Sequence, residues 1–358
     1  MRLIKIAAGD TKYDAAVGPL EDAKAKLLAL GGGGRLSAVT DSTVWALHGA
    51  RLGRIITVDP ILVEPGEAGK TWAGLEALLA QLAERDIKRS TPIIAFGGGS
   101  IGDLTGLAAG LYKRGCPVIH IPTTLLAQVD SAIGGKSAID FAGRKNLVGL
   151  FHQPLFVAAD PSLLDTLDAR QFRSGYAEFI KYGLIGDPPV FFYSEENATK
   201  ILARDPAARR RTVDLAIRCK AHYVGEDPED RLGVRAKLNF GHTFGHAIEA
   251  LTGFGPVLHG EAVALGMGLA FKLSTELGFC TQTDCDRAIA HLAAIGLPTT
   301  LAEVGLAGRG DELAALMMQD KKANSAGLRL ILVRGIGSAF VCGDVTLDRL
   351  RAFLARAA

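Results

Sequence analysis

Short apolar runs alternate with amphipathic stretches through the first part of this chain, and from about Gln171 onward long helical periods replace them. Residues 36–40, 54–58, 92–96 and 118–121 have the length and aliphatic content of strands, whereas 72–85 spaces its apolar residues along one face of a helix. Such alternation predicts a largely parallel sheet covered by helices on both faces. Beyond it, 207–224, 243–251, 261–277 and 284–295 read as helices, and 328–333 is the one later run that looks like a strand. A chain of 358 residues exceeds what a single core usually organises. The expectation is therefore α/β, with a parallel-sheet domain over 1–165, a mainly α-helical domain over 166–358, and an active site between them.

Charge and cysteine content exclude several classes. Lys plus Arg total 40 against 38 for Asp plus Glu, a net charge of +2, so the field that nucleic-acid binding needs is missing. The run Arg209-Arg210-Arg211 falls in a helical stretch and reads as a solvated face. Five cysteines, at 116, 219, 280, 285 and 342, are odd in number and carry no paired-cysteine motif, which points to a reducing compartment. The N-terminal stretch is too soon interrupted by charge for a secretory signal, and no uncharged apolar run reaches transmembrane length. The expectation is a soluble, cytoplasmic protein with no nucleic-acid or membrane partner.

Three of the eight histidines fall in one short stretch, in Asn239-Phe-Gly-His242-Thr-Phe-Gly-His246 and Leu258-His259-Gly-Glu261. In a helix His242 and His246 share a face, since residues four apart are surface neighbours. With Glu178, two imidazoles and one carboxylate leave a coordination position open, as a catalytic zinc requires, and no cysteines are near enough for a closed structural site. All three imidazoles together with Glu178 would fill that vacancy. His246 is accordingly assigned to hydrogen bonding or proton transfer, and the helical part is expected to be a metal-binding domain.

A second motif lies in the first half, where the strand 92–96 runs into Gly97-Gly98-Gly99-Ser100-Ile-Gly102-Asp103. Glycines let the backbone approach a pyrophosphate, and the amide groups of a helix start attract its charge, so a Rossmann-like nucleotide site is expected. Ser100 and Asp103 have the spacing of a capping pair. The usual acid about 20 residues later is replaced by His120-Ile-Pro-Thr. Asp41, Glu67 and Lys70 are the alternatives for ribose or adenosine contacts. Many donors that could surround a phosphate and a carboxylate follow: Arg114, Lys136, Lys145, Lys181, Lys220, Arg235, and Lys321 or Lys322.

The strings Gly97-Gly-Gly-Ser-Ile-Gly-Asp-Leu-Thr-Gly, Pro122-Thr-Thr-Leu-Leu-Ala-Gln-Val-Asp-Ser-Ala-Ile-Gly-Gly-Lys136, Tyr176-Ala-Glu-Phe-Ile-Lys181-Tyr-Gly and Leu238-Asn-Phe-Gly-His-Thr-Phe-Gly-His-Ala-Ile-Glu249 resemble 3-dehydroquinate synthases of the sugar phosphate cyclase superfamily, over most of the chain. The resemblance implies a lyase of the shikimate pathway, leading to chorismate and the aromatic amino acids. It would use NAD and one divalent metal, zinc or alternatively cobalt, to convert 3-deoxy-arabino-heptulosonate 7-phosphate to 3-dehydroquinate and phosphate. The implied course is hydride removal at C5, phosphate β-elimination, hydride return, ring opening and aldol closure, with the substrate phosphate able to serve as base. By match, Glu178, His242 and His259 become metal ligands. Asp41, Glu67, Lys70, Gly98, Gly99, Asp103, Thr123, Thr124, Asp130, Lys136 and Lys145 would hold NAD. Arg114, Asp130, Lys136, Asn146, Lys181, Lys220, Arg235, Asn239, His246, His259 and Lys321 would hold substrate, with Lys136, Lys181, Lys220, Arg235, Asn239 and His246 taking part in catalysis. A homodimer is also implied.

One stretch departs from the family pattern: Gly225-Glu-Asp-Pro-Glu-Asp-Arg-Leu-Gly233 carries a proline and is one residue longer, leaving Glu229 and Asp230 both open as its active-site acid. Sister cyclases acting on sedoheptulose 7-phosphate or glucose 6-phosphate are the nearest rival; their substrates lack the carboxylate that Lys220, Arg235, Asn239 and Lys321 or Lys322 would bind. A metal-dependent polyol dehydrogenase would release reduced cofactor and need fewer phosphate-binding cations. A catalytically dead paralogue need not keep three metal ligands.

Overall fold

In chain order the strands are β1 (Arg2–Ala8), β2 (Thr11–Val17), β3 (Leu36–Thr40), β4 (Val58–Leu62), β5 (Ile93–Gly97), β6 (Val118–Pro122), β7 (Lys136–Phe141), β8 (Arg144–Phe151), β9 (Phe156–Ala159), β10 (Leu330–Val333) and β11 (Ala339–Cys342). The helices are α1 (Lys24–Leu30), α2 (Ser42–Ile55), α3 (Trp72–Glu84), α4 (Gly99–Leu111), α5 (Ala169–Ile185), α6 (Pro188–Leu202), α7 (Pro206–Glu226), α8 (His242–Thr252), α9 (His259–Glu276), α10 (Gln282–Ala294), α11 (Gly310–Lys321) and α12 (Leu347–Ala357). The structure, a computed structural model, describes residues 1–253, 255–321 and 329–357, with 319–321 by backbone only. Two compact units result: Met1–Asp168 with Arg204–Glu229, and Ala169–Ala203 with Asp230–Ala358.

The first unit is built on a seven-stranded sheet of order β1-β2-β9-β6-β5-β3-β4, parallel except for the β1–β2 hairpin. Successive side chains on the central strands alternate between two apolar layers. Ala38, Ile94, Phe96 and Ile119 pack with α2 residues such as Leu52. Val39, Ile93, Ala95 and Val118 pack with Leu78 of α3 and Leu104 of α4 on the other side. Burial on both faces is why these strands read as continuous apolar runs.

Of the expected strand 54–58, only Val58 is in a strand. Asp41 caps α2, its Oδ1 accepting the Val44 N–H at 2.8 Å, a contact typically worth about 1 kcal/mol. The helix then runs on to bury Leu52 and Ile55, and the strand follows at β4. Pro60 is tolerated there because β4 is an edge strand, where a missing N–H leaves no ladder bond unmade. The hairpins β1–β2 and β7–β8, strand β9, and β11 beside β10 are not evident from the sequence pattern. The β1–β2 pair buries alternate residues, Ile4, Ile6 and Ala8, leaving only a three-residue apolar signal.

Among the described residues the second unit is helical apart from the β10–β11 hairpin. Helix α9 is buried along most of its length, and α5 buries every residue from Ser174 to Ile185, including Glu178 and Lys181. Among the described residues no helix is long and apolar enough to cross a membrane.

Candidate active site

Setting aside β2, which lies parallel beside β9, the other five parallel strands of the first unit, numbered in chain order, lie in the doubly wound order 2-1-3-4-5, that is β4-β3-β5-β6-β9. Its switch point falls between β3 and β5, where crossovers depart to opposite sides and open a crevice at the carboxyl ends. Asp41 immediately follows β3, and Gly98 immediately follows β5. The strand beside β5 is an earlier one, so an acid at its carboxyl end, such as Asp41, precedes the glycines in sequence. Gly98 is the N-cap of α4, with no side-chain cap, so the capping role expected of Ser100 and Asp103 is not realised; Ser100 lies inside the helix and Asp103 pairs with Lys70. A Cβ at Gly98 would stand 3.0 Å from Thr124 Cγ2, so the backbone passes where a side chain would crowd Thr124. The amides of the first helical turn are left for an anion.

The other residues expected at the nucleotide all belong to this unit. Lys70 is buried, and its Nζ donates to Asp103 Oδ2 at 2.8 Å and Asn146 Oδ1 at 2.6 Å, with Glu67 3.5 Å away. Burial works to lower the Lys70 pKa, but the carboxylates of Asp103 and Glu67 outweigh it and the net shift is upward. Burial raises the Asp103 pKa, against the opposing pull of Lys70. The Thr123 N–H donates to the Gly97 carbonyl at 2.9 Å, and Thr124 Oγ1 accepts from Ala127 N–H at 3.2 Å. Asp130 sits in a π-helical turn, Ala127–Ser131, and is held by Lys220 of α7 through its Oδ1 and its carbonyl, both at 2.7 Å. Lys136 opens β7, exposed, with its ammonium 6.0 Å from the Phe151 ring centre, and Lys145 lies on β8. Arg114 is placed elsewhere: it precedes β6 at the amino-terminal edge of the sheet, separated from Gly98 by the full length of α4, about 20 Å. Within the chain, the structure does not bring it to the glycine turn.

In the second unit three helices converge. The Gly260 N–H donates to Ser174 Oγ at 3.0 Å, and a Cβ on Gly260 would lie 1.8 Å from the Ser174 carbonyl oxygen, so α5 and α9 meet at a contact only glycine permits. One turn beyond Ser174, Glu178 points its carboxylate toward His259 at the start of α9 and His242 at the start of α8. Glu178 Oε1 is 3.6 Å from Nε2 of both rings, and one ligand atom from each of the three residues lies within 4.8 Å of the others. Ligands sharing a tetrahedral zinc with arms of about 2.0–2.1 Å stand about 3.4 Å apart, close to this spacing.

Glu178 is fully buried, and neither of its oxygens accepts a hydrogen bond among the described residues, although the Lys181 ammonium is ion-paired with it. A buried carboxylate without hydrogen bonds between two imidazole nitrogens suits a divalent cation. Burial, then the charge of Lys181, keeps the His242 pKa well below its usual value, so the ring is neutral and its lone pair available. His242 Nδ1 is 3.1 Å from the Phe240 carbonyl oxygen, which directs Nε2 at Glu178. His246 stands outside the three-residue group, exposed, with its ring 5.5 Å from that of His242. Arg235 is buried on the short 3-10 helix Arg235–Asn239, whereas Asn239 is exposed. Glu261 is no ligand: it accepts the Leu258 N–H at 2.9 Å at the start of α9 and pairs with Arg170. Of the acids near the proline-bearing loop, Asp227 is the buried one, while Glu229 is exposed and Asp230 partly so. The Lys321 side chain and Lys322 lie outside the described residues.

Family profiles described as 3-dehydroquinate synthase N-terminal and 3-dehydroquinate synthase C-terminal match residues 60–174 and 175–323. The chain belongs to the 3-dehydroquinate synthase family. The 3-dehydroquinate synthase of Caulobacter vibrioides is 49% identical over 99% of this chain and 98% of its own. Among solved structures, 2-epi-5-epi-valiolone synthase from Streptomyces hygroscopicus, with NAD+ and Zn2+ bound, superposes with a TM-score of 0.89 at 29% identity, covering 98% of each chain. A 2-deoxy-scyllo-inosose synthase complexed with carbaglucose-6-phosphate, NAD+ and Co2+ gives 0.87 at 26% identity, covering the whole of both. The family membership fits a chain that carries both a glycine turn at a switch point and a Glu-His-His group.

Proposed function

We propose that this chain converts 3-deoxy-arabino-heptulosonate 7-phosphate to 3-dehydroquinate and phosphate. The observation that carries the reading is the 49% identity to a 3-dehydroquinate synthase along nearly the full length, against 29% and 26% for the two cyclases that make other products. Bound NAD supplies reversible storage of the C5 hydride, and a bound divalent ion, zinc or cobalt, supplies Lewis acidity toward the C4 and C5 hydroxyls. Because the hydride is returned, the net reaction is redox-neutral and eliminates phosphate without consuming cofactor.

The chain's own part is to hold and orient. Asp41, the Gly98-Gly99 turn and the Thr123-Thr124 pair contact the nucleotide, with the cluster of Glu67, Lys70 and Asp103 beside them. Glu178, His242 and His259 carry the metal. Lys136, Lys181, Lys220, Arg235 and Asn239 bind the anionic groups of the substrate, and His246, exposed and beside the metal group, moves a proton. Residues 1–165 mainly serve the nucleotide and 166–358 mainly the metal. A cytoplasmic homodimer is the proposed working form.

Incubation of the purified protein with the heptulosonate phosphate, NAD and zinc tests the reading. Phosphate release with 3-dehydroquinate as carbon product, and no build-up of absorbance from reduced cofactor, is the expected result. Steady accumulation of reduced cofactor would show a dehydrogenase instead, and release only from sedoheptulose 7-phosphate or glucose 6-phosphate a sister cyclase.

A further inference from the structure

Seven residues beyond His242 and three beyond His246, Glu249 completes a stripe along one face of α8. It is 2% exposed, and its Oε2 lies 3.4 Å from Nδ1 of His259, whose Nε2 faces Glu178 at 3.6 Å. The two imidazoles of the group are thus backed differently: His242 by the Phe240 backbone carbonyl, His259 by a buried carboxylate. A carboxylate accepts and cannot donate, so it selects the tautomer of His259 with the proton on Nδ1 and the lone pair on Nε2.

We propose that Glu249 is a positioning residue for the metal group, fixing the tautomer and ring orientation of His259. The proposal rests on the reading that Glu178, His242 and His259 hold a metal. Glu249 makes no contact with the metal position; its effect passes through His259.

The test is zinc affinity, measured on full-length protein by competition with a chromophoric chelator, for wild type, Glu249→Gln and Glu249→Leu. The Gln amide oxygen still accepts from Nδ1–H, whereas Leu removes the acceptor. Glu249→Leu is expected to weaken zinc binding about 10–100-fold, with Glu249→Gln between it and wild type. In the metal-free proteins, nitrogen-15 imidazole spectra are expected to show His259 as the Nδ1–H form in wild type and Glu249→Gln, and to lose that preference in Glu249→Leu. NAD affinity, read by fluorescence quenching, reports on folding and should be the same for all three. Equal zinc affinity in wild type and Glu249→Leu overturns the proposal. So does a loss of zinc in Glu249→Leu accompanied by an equal loss of NAD binding, which marks a folding role. A wild-type protein that takes up no zinc overturns the metal reading itself.

Discussion

Glu178 and Lys181 lie one turn apart on α5, with side chains 0% and 2% exposed, and they form a buried ion pair. A cation next to a carboxylate that also faces two imidazoles stands where a divalent ion would compete with it. Removing one member of a buried pair typically costs about 3–5 kcal/mol, because the other charge is left uncompensated. Lys181→Met should therefore lower the melting temperature of the metal-free protein, and zinc should restore more of it than zinc adds to wild type. Thermal melts with and without a chelator measure this; equal zinc-induced shifts in the two proteins would show that Lys181 does not balance Glu178.

His259 and His246 separate by position rather than residue type. His259 is inside the three-residue group, while His246 is an exposed ring beside it. His259→Ala should lose bound metal and activity together. His246→Ala should keep its metal and lose turnover by about 10²–10⁴, the usual range for a general acid or base. Metal content by elemental analysis, paired with phosphate-release rates, distinguishes the two; full metal retention in His259→Ala would sink the ligand assignment.

Gly260 tests whether the α5–α9 contact sets the site. A methyl group there would meet the Ser174 carbonyl at 1.8 Å, so the helices must part. Gly260→Ala should cost at least about 1–3 kcal/mol of stability, as overpacking does. It should also weaken metal binding, since Glu178 and His259 ride on the two helices. Retained zinc affinity in a destabilised variant would show that the site tolerates their separation.

Much of the candidate site was legible in the sequence because its chemistry is concentrated in contiguous strings. Glu178, His242, His259 and the glycine turn could all be named before any fold was known. What the sequence concealed depends on strand order and on closeness in space. Asp41 could be listed as an acid, but only the adjacency of β3 and β5 makes it the neighbour of Gly98. Glu249 was in plain view in the His242 string, and its i+7 spacing was the available signal; its buried contact with His259 depends on the packing of α8 against α9. Arg114 reads as one more cation in sequence, whereas the sheet sets it at the opposite edge. The β1–β2 and β7–β8 hairpins escaped because a half-exposed strand of a few residues has too little apolar content to be distinguished from a loop.

His120 makes the chain's acid sensitivity predictable. It lies on β6 under the glycine turn, where a Cβ on Gly102 would be 3.4 Å from its Nδ1. Burial, with a smaller contribution from the charge of His152, pushes its pKa down from 6.5 to about 4. The native state therefore holds His120 neutral where the unfolded chain already binds a proton, so protonation favours unfolding. Its contribution to stability is fully present above pH 6.5 and is lost as pH falls toward 4, by about 3 kcal/mol over that window. Replacing the imidazole with a group that does not titrate should flatten this part of the curve. In urea unfolding at pH 7 and pH 4, the stability difference between wild type and His120→Gln should shift by about that amount in favour of the variant at pH 4. Parallel stability curves for the two proteins would mean that His120 accepts a proton inside the fold, and that the layer beneath the glycine turn is open to water.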